Sequence, residues 1–483
     1  MPGHKGRGAL SFEKYDITEV AGADALYEAD GIIAKSEKNA SALFGSGHTF
    51  YSTEGSSQCI RAMLYLAEQH AVRMRHAAAG KAQDQDRHNR EIDKITGGPG
   101  ERTVVLAARN VHKAFVYAAA LLDLDVVWLW PENGSDSLCS CPVTALQLES
   151  VLSAMQKKPA AVYVTSPDYQ GGMQDIRGLA GVCHRHGTLL LVDNAHGAYL
   201  HFMRPPVHPL DLGADLCCDS AHKTLPVLTG GAYLQLRKGL PDYFYGGAKQ
   251  ALSLFGSTSP SYLTLVSLDL CNHYLADGYP ERLQKILLRL EALRKKAETC
   301  GYSVKKALPL DRKAGKQASD DLCDSLKIVI KATGEMTGTG LAEALREQGV
   351  ECEYADHDFL VLMATPDNTE EDFLRVERAL GKIAGERGPE DPKTEEGEKL
   401  RTKEMEQLLK RPQAEQVLSI REAVMLPHES VPVQAACGRI CAAPTVACPP
   451  AIPIVISGER IGPEEIKLLQ HYGILSIEVV VEG

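Results

Sequence analysis

Two polar segments, about thirty residues apart, carry side chains that suit one kind of covalent chemistry. Lys223 lies in the short polar turn Asp219-Ser220-Ala221-His222-Lys223-Thr224, directly after an apolar run. Asp193 follows the apolar run Leu189-Leu190-Leu191-Val192, so we expect it at the end of a central strand. A carboxylate in that position is costly unless a cation pairs with it. The pattern indicates a lysine amine that attacks an aldehyde and an acid that holds a buried cation.

Pyridoxal phosphate matches both groups. The Lys223 amine can form a Schiff base with its aldehyde, and Asp193 can keep its pyridine nitrogen protonated, which makes the ring an electron sink. The lysine must lose a proton whose ordinary pKa is about 10.4, so it needs desolvation or nearby positive charge. The plainer interpretations are an exposed loop lysine and an aspartate that caps a helix.

Hydroxyl-rich segments are candidates for the phosphate group. Gly55-Ser56-Ser57 precedes a predicted helix from Cys59 to Gln69, and backbone N–H groups at a helix start bind anions. Ser257-Thr258-Ser259 is a second such segment, which a dimer with its active sites at the interface would use. An ordinary serine cap explains Ser56 and Ser57 equally well.

Histidines near these segments are candidates for contacts with the cofactor ring. His196 follows Asp193 by three residues and could reach the ring or the phosphate edge. His112 could stack flat on the pyridine, and His222 adjoins the candidate lysine. A satisfied core histidine and a solvent-exposed histidine at a helix start remain the alternatives for His196 and His112.

The elements that must position these residues form an α/β pattern. Apolar runs alternate with helical stretches, which predicts a mostly parallel sheet buried on both faces. The predicted strands are 103–107, 126–130, 160–164, 188–192, 216–219 and 231–236. Polar candidates follow these strands, at the edge where open α/β sheets bind ligands.

Downstream patterns predict further domains. Residues 325–382 show a β-α-β-α pattern, which indicates a small α+β domain, and a polar stretch at 77–100 is typical of an exposed insertion. We divide the chain into an arm with short helices (1–50), a cofactor-binding large domain (51–300), the small domain (301–385), a charged linker (386–403) and a C-terminal α+β domain (404–483).

Composition excludes some classes of partner. The chain has 483 residues, 44% of them hydrophobic, which is ordinary for a soluble globular protein. Its net charge of −11 argues against nucleic acid or an anionic membrane as partner, and no apolar run is long enough to span a bilayer. The 13 cysteines lack zinc-like spacing, so we expect reduced thiols, no metal site and a cytoplasmic location.

Ordered motifs across nearly the whole chain resemble the Orn/Lys/Arg decarboxylase family, the fold type I pyridoxal phosphate enzymes that remove the α-carboxylate of basic amino acids. The resemblance is to the shorter members, which lack an N-terminal flavodoxin-like wing. The matching segments are Pro2-Gly3-His4-Lys5-Gly6, Asp16-Ile17-Thr18-Glu19, Gly55-Ser56-Ser57, Arg109-Asn110-Val111-His112-Lys113, Thr165-Ser166-Pro167-Asp168-Tyr169, Asp193-Asn194-Ala195-His196-Gly197, Ser220-Ala221-His222-Lys223-Thr224, Thr258-Ser259-Pro260-Ser261-Tyr262, and Pro449-Pro450-Ala451-Ile452-Pro453 with Gly458-Glu459.

The resemblance implies a role for each candidate residue. Lys223 would carry the cofactor, Asp193 would pair with its ring nitrogen, and His112 would stack on the ring. The phosphate would lie among Ser56, Ser57, Ser220 and His222, with Thr258 supplied by the partner subunit of a homodimer or larger homo-oligomer. Glu353 falls where the family places a carboxylate for the substrate's distal cation.

The resemblance also implies a reaction. We expect decarboxylation of a basic L-amino acid, arginine to agmatine first and lysine or ornithine next, feeding polyamine synthesis. Proton return to the substrate would come from Lys223 or His222. The chain departs from the family pattern at Asn194, at Gln58-Cys59 and at Ala451, where the family commonly has glutamate, a glycine-containing loop and glycine. Another fold type I reaction, such as aminotransfer or C–S lysis, and a non-catalytic regulatory paralogue remain alternatives.

Overall fold

The structure is a computed structural model that describes residues 1–9, 11–79, 102–132, 134–309, 323–333, 336–387, 409, 413–444 and 451–482. Its largest element is a seven-stranded sheet in the order β1-β7-β6-β5-β4-β2-β3. The strands are β1 (His48–Ser52), β2 (Val104–Ala108), β3 (Asp125–Leu129), β4 (Ala161–Thr165), β5 (Leu189–Asp193), β6 (Leu216–Asp219) and β7 (Ala232–Leu236). The pairs from β3 to β6 are parallel, whereas β7 runs antiparallel to both β6 and β1.

Helices cover both faces of this sheet. The helices of the first 300 residues are α1 (Ile32–Leu43), α2 (Gly55–Ala79), α3 (Lys113–Leu122), α4 (Ala145–Ala154), α5 (Ile176–Arg185), α6 (Pro209–Leu212), α7 (Ala221–Thr224), α8 (Asp242–Leu254), α9 (Tyr262–Ala276) and α10 (Tyr279–Thr299). Successive strand residues point to opposite faces. Leu191 accordingly packs in one buried cluster with Tyr163 and Leu216, while Leu190 packs in another with Val162.

Two smaller sheets follow. The four-stranded antiparallel sheet has the order β10-β11-β9-β8, and the last two strands form an antiparallel pair. The strands are β8 (Ser303–Val304), β9 (Lys327–Lys331), β10 (Tyr354–Ala355), β11 (Phe359–Met363), β12 (His428–Pro432) and β13 (Ser476–Val480). The accompanying helices are α11 (Gly338–Glu347), α12 (Glu370–Arg387), α13 (Ile420–Met425) and α14 (Pro463–His471). Within the described ranges, every helix is too short or too polar to cross a membrane.

The α/β prediction with a mostly parallel sheet is confirmed, and each predicted strand lies within two residues of an observed one. Two details of the prediction are wrong. The helix expected from Cys59 begins at Gly55, because Gly55 adopts the left-handed conformation (φ +74°) that turns the chain out of β1. Strand β1 was not predicted, and it crosses the predicted boundary between residues 50 and 51.

The other domain boundaries stay a prediction. Most of the expected insertion at 77–100 and most of the linker at 386–403 lie outside the described residues, although residues 77–79 belong to α2.

Candidate active site

A cavity of about 270 Å³ opens at the carboxyl edge of the parallel strands. This edge is where the sequence places the candidate residues. The lining residues are Gly55, Ser56, Ser57, Asn110, His112, Thr165, Tyr169, Asp193, Ala195, His196, Ser220, His222, Lys223, Ala451 and Ile452. The structure thus brings together eight of the ten predicted site residues, all except Thr258 and Glu353.

Lys223 lies in the single-turn helix α7, which follows β6. Its Nζ lies 2.9 Å from Nε2 of His196 and 5.5 Å from the centroid of the Tyr169 ring. Burial lowers the pKa of the Lys223 ammonium, although the negative charge of Asp193 opposes this effect. An amine that loses its proton more readily is a better nucleophile toward an aldehyde.

His196 contacts the lysine amine through one ring nitrogen, while its other ring nitrogen has no hydrogen-bond partner among the described residues. When Nε2 accepts a hydrogen bond from Lys223, the ring proton lies on Nδ1. That Nδ1 is buried and has no hydrogen-bond partner among the described residues. Burial, with the nearby positive charges of Lys327 and Lys223, holds the pKa of His196 well below its usual range. The histidine is therefore neutral, with a buried N–H group beside the cavity.

Asp193 ends β5, and it is buried with 3% of its surface exposed. Its Oδ2 accepts a hydrogen bond from the Tyr163 hydroxyl at 3.1 Å. Its Oδ1 accepts from the Ala195 backbone N–H at 3.2 Å and from the Cys218 thiol at 3.5 Å. These donors orient the carboxylate, which lines the cavity and can pair with a cation there.

The start of α2 forms a wall of the cavity whose groups suit an anion. Gly55 bends the chain, and its N–H donates to Gly230 O at 2.7 Å. Ser56 and Ser57 then lie in the first turn, where backbone N–H groups are free of helical partners. The Ser220 hydroxyl donates to the Ser56 hydroxyl at 2.8 Å, so α2 and the lysine turn meet at this wall. Hydroxyls at the N-terminal end of a long helix bind a phosphate well.

Two further histidines line the cavity in fixed orientations. His112 caps α3, where its Nδ1 accepts from the Ala114 N–H at 3.1 Å, which leaves Nε2 as the protonated atom. His222 donates from Nδ1 to Gly231 O at 3.0 Å, which leaves Nε2 without the proton. Burial lowers the pKa of both histidines, so both are neutral over a wider pH range than usual.

Glu353 and Thr258 do not line the cavity. Glu353 is half-buried beside β10, and its Oε1 accepts a hydrogen bond from the Tyr169 hydroxyl at 3.3 Å. Tyr169 itself lines the cavity and meets His196 edge-on, with 4.9 Å between ring centroids. Thr258 is exposed in the loop before α9. Glu353 is thus separated from the cavity by the side chain of Tyr169, and Thr258 lies outside the cavity of its own chain.

The last wall comes from the far end of the chain. Ala451 and Ile452 line the cavity, and Ala451 O accepts from the Lys113 N–H at 3.0 Å. Arg109 fixes the segment that follows, because its guanidinium donates to Pro453 O at 2.9 Å and to Ile454 O at 3.0 Å. The same guanidinium forms a buried ion pair with Glu459 at 3.2 Å.

The residues present fit pyridoxal phosphate. Three cavity-lining side chains have a buried polar atom without a hydrogen-bond partner in the described structure, namely Asn110 Oδ1, Thr165 Oγ1 and His196 Nδ1. Unpaired buried polar atoms are costly, so the cavity suits a polar ligand. A phosphate site at α2, the Asp193 carboxylate and the Lys223 amine match the phosphate, ring nitrogen and aldehyde of this cofactor.

The departures from the family pattern lie away from the cavity or at its rim. Gln58 turns aside, because its Nε2 donates to the Tyr27 hydroxyl at 2.9 Å and to Leu252 O at 2.8 Å. Cys59 is fully buried in α2. Asn194 points its amide at Asp219, with 2.6 Å between Nδ2 and Oδ1. Only Ala451 of these residues lines the cavity, and it adopts a left-handed conformation (φ +59°).

The sequence patterns did not single out every residue of the cavity. Asn110, Thr165 and Tyr169 lie in segments that directly follow predicted strands. That position is the sequence feature that could have identified them as cavity residues. Tyr163 and Cys218 are ordinary strand residues with no local signal, because only the pairing of β4, β5 and β6 brings them to Asp193.

Comparison with known proteins gives a consistent result. The family model of the Orn/Lys/Arg decarboxylase major domain matches residues 91–372, and that of the C-terminal domain matches residues 398–476. The arginine decarboxylase of Bacillus subtilis is 28% identical over 97% of this chain and 89% of its own length. The arginine decarboxylase of Bacillus anthracis is 25% identical over 97% of this chain and 88% of its own.

Solved structures agree on the fold. The constitutive lysine decarboxylase of E. coli superposes with a TM-score of 0.74 at 16% identity, covering 100% of this chain and 79% of that one. The lysine decarboxylase of Francisella novicida gives 0.75 at 17% identity, covering 100% and 78%. At such low identity these structures support the fold alone. The family models cover most of the chain, so it belongs to the Orn/Lys/Arg decarboxylase family and is a pyridoxal-phosphate-dependent amino acid decarboxylase.

Proposed function

We propose that this enzyme decarboxylates a basic L-amino acid, with arginine to agmatine as the first choice and lysine or ornithine next. The observation that carries the proposal is the Glu353 carboxylate, which accepts a hydrogen bond from Tyr169, a residue that lines the cavity beside Lys223. An acid so placed can pair with a distal guanidinium or ammonium. Relatives named arginine decarboxylase at 25–28% identity favour arginine over the other two.

The chain's own residues would perform four tasks. Lys223 would hold the cofactor through its amine, Asp193 would pair with its ring nitrogen, and Ser56, Ser57 and Ser220 would bind its phosphate. His112 would lie against the ring. When bound, the cofactor supplies an electron sink for the pair released as the carboxyl group leaves. The polar atoms around the cavity hold these groups in place. Because the site is buried, electrostatic interactions within it are stronger than they would be in water.

Proton transfer would fall to Lys223 or His222. Burial lowers the pKa of both groups, so the protonated form of each is a stronger acid than usual and gives up its proton more readily. His222 is oriented by its hydrogen bond to Gly231 O, which leaves Nε2 as the atom that can move a proton. His196 would hold the Lys223 amine when that amine is free.

The test is release of CO₂ from arginine, lysine and ornithine by the purified enzyme. Replacing Glu353→Gln removes the charge but keeps the hydrogen-bond acceptor, so we expect the KM for the preferred substrate to rise about 10- to 100-fold, with a smaller change in kcat. Glu351→Gln is the matched control, because Glu351 lies two residues away but is exposed and paired with Arg346. An unchanged KM in Glu353→Gln would remove Glu353 from substrate binding.

The same assay decides the alternatives. Aminotransfer would yield a keto acid, and C–S lysis would require a sulfur-containing substrate. A non-catalytic paralogue would bind pyridoxal phosphate without turnover on the three amino acids. CO₂ release that depends on Lys223 would support the proposal, and its absence with all three substrates would overturn it.

We also infer a homodimer whose partner completes each site. The loop carrying Thr258 lies close to the start of α2, because the Ser257 N–H donates to Glu54 at 2.5 Å, yet Thr258 does not line the cavity of its own chain. Mixing inactive Lys223→Ala subunits with Thr258→Ala subunits should restore one wild-type site per mixed dimer. No recovery of activity, or a monomer by mass photometry, would contradict the inference.

We place the reaction in the cytoplasm and expect its product to feed polyamine synthesis. The cysteines that the structure describes are free thiols, which fits a reducing compartment. Cell fractionation and the polyamine content of a deletion strain would test the two statements.

A further inference from the structure

Three neighbouring strands converge on the carboxylate of Asp193. In the parallel register, Asp193 of β5 pairs with Thr165 of β4 and with Cys218 of β6. Tyr163 lies two residues before Thr165, so its side chain leaves the sheet on the same face. Asp193 is therefore flanked by one strand on each side, and each strand offers it a side-chain donor.

The two donors take different oxygens. The Tyr163 hydroxyl donates to Oδ2 at 3.1 Å, and the Cys218 thiol donates to Oδ1 at 3.5 Å, where it joins the Ala195 backbone N–H. Both donor side chains are fully buried. Donors on both oxygens fix the rotation of the carboxylate.

Both donors keep their protons. Burial and the nearby Asp193 charge hold the pKa of the Tyr163 phenol, and that of the Cys218 thiol, well above their usual ranges. Four other titratable groups interact electrostatically with the carboxylate, namely Cys59 from α2, His112 at the start of α3, Cys217 from β6 and Lys223 from α7. Burial favours the neutral form of each of these four groups, and Tyr163 and Cys218 are the side chains that donate hydrogen bonds to Asp193 among the described residues.

We propose that Tyr163 and Cys218 are positioning residues, which hold Asp193 in the orientation that the cofactor's ring nitrogen requires. This inference rests on the proposed role of Asp193. A carboxylate that loses the donor on one of its oxygens is freer to rotate away from the ring nitrogen. Its pairing with the ring nitrogen then weakens, while contacts to the phosphate and the aldehyde stay unchanged.

The test compares two probes on the full-length enzyme, pyridoxal phosphate and its 1-deaza analogue, in which a carbon replaces the ring nitrogen. For Tyr163→Phe, we expect pyridoxal phosphate to dissociate about 10-fold faster, because a hydrogen bond to a charged group is lost. The analogue should leave Tyr163→Phe and the wild type at the same rate, because it has no ring nitrogen for Asp193 to hold.

Tyr199→Phe is the matched control. It removes a buried tyrosine hydroxyl that donates to a different buried aspartate, Asp324, at 2.9 Å, away from the cavity. Cys218→Ala should also release pyridoxal phosphate faster without changing the release of the analogue, but only by a few-fold, because a thiol is a weak donor. Cys218→Ser supplies a hydroxyl donor, so it should restore the slow release of pyridoxal phosphate. The ¹⁵N resonance of labelled cofactor, compared between wild type and Tyr163→Phe, reports the ring nitrogen directly.

The outcomes separate the inference from the role on which it rests. If Asp193→Ala discriminates between the two probes but Tyr163→Phe does not, the inference is wrong and the role of Asp193 stands. If Asp193→Ala releases both probes equally fast, the role of Asp193 itself fails. Equal acceleration of both probes in Tyr163→Phe means a structural effect and overturns the inference.

Discussion

Asp193 and Asp219 end neighbouring strands and are both buried, yet their surroundings differ. Asp193 lines the cavity and receives hydrogen bonds from a phenol, a thiol and one backbone N–H. Asp219 does not line the cavity. It receives hydrogen bonds from His208 at 3.2 Å, from Asn194 at 2.6 Å and from Gln235.

The comparison shows how burial alone fails to identify a functional acid. The imidazole and two amides around Asp219 belong to the protein itself, so this carboxylate is satisfied and links β5, β6 and β7. The Asp193 carboxylate can still accept a hydrogen bond from a ligand in the cavity. We interpret Asp219 as structural and Asp193 as functional. Substitution of each residue tests this interpretation.

The largest expected effects come from removing each acid in turn. Asp193→Ala should lower kcat about 10³-fold, because the electron sink loses its charge partner. Asp219→Ala should lower the free energy of unfolding by about 3–5 kcal/mol, because three buried donors lose their acceptor. Steady-state kinetics and urea unfolding measure the two effects. Reversed results would exchange the two roles.

A smaller effect should follow from Asn194→Asp, which places a second carboxylate beside Asp219. Like charges so close cannot both ionise cheaply, so the new acid has a raised pKa in the folded state. A raised pKa means that the folded protein binds the proton more tightly, so stability is lost as pH rises. We expect a loss of about 3 kcal/mol at pH 7 that recovers below pH 5. Loss that is independent of pH would indicate a packing defect instead.

Asp168, which follows β4, allows a third comparison. Burial raises its pKa to about 6, although Lys305 and a backbone hydrogen bond from Gly172 oppose this. Because the folded pKa is raised, this group adds stability as pH falls from above 6 toward 4. Asp168→Asn should remove about 2 kcal/mol of that change. Urea unfolding at several pH values checks it, and parallel pH profiles for both proteins would refute it.

The smallest expected effect is at the cavity wall. Ala451 adopts a left-handed conformation (φ +59°), which costs an alanine more than a glycine. Ala451→Gly should therefore raise the free energy of unfolding by about 1 kcal/mol, offset in part by the greater freedom of glycine when unfolded. Thermal unfolding measures the change, and a lower melting temperature would contradict the expectation.

The sequence predicted the sheet well, because its central strands are aliphatic runs buried on both faces. It also placed Lys223, Asp193 and three histidines at one edge of that sheet, where the structure brings them into one cavity; their roles stay predictions. Strand β1 was missed because His48–Ser52 is mixed in polarity. The network around Asp219 was missed because Gln235 reaches it only through the antiparallel pairing of β6 and β7.

The cavity wall at residues 451 and 452 also has a consequence for synthesis. Ser56 and Lys223 leave the ribosome long before Ala451, yet all three line the same cavity. The buried ion pair between Arg109 and Glu459 then fixes this late segment against an early strand end. A nascent chain can therefore build the sheet well before this cavity is closed, because closure waits for the synthesis of residues 451–459.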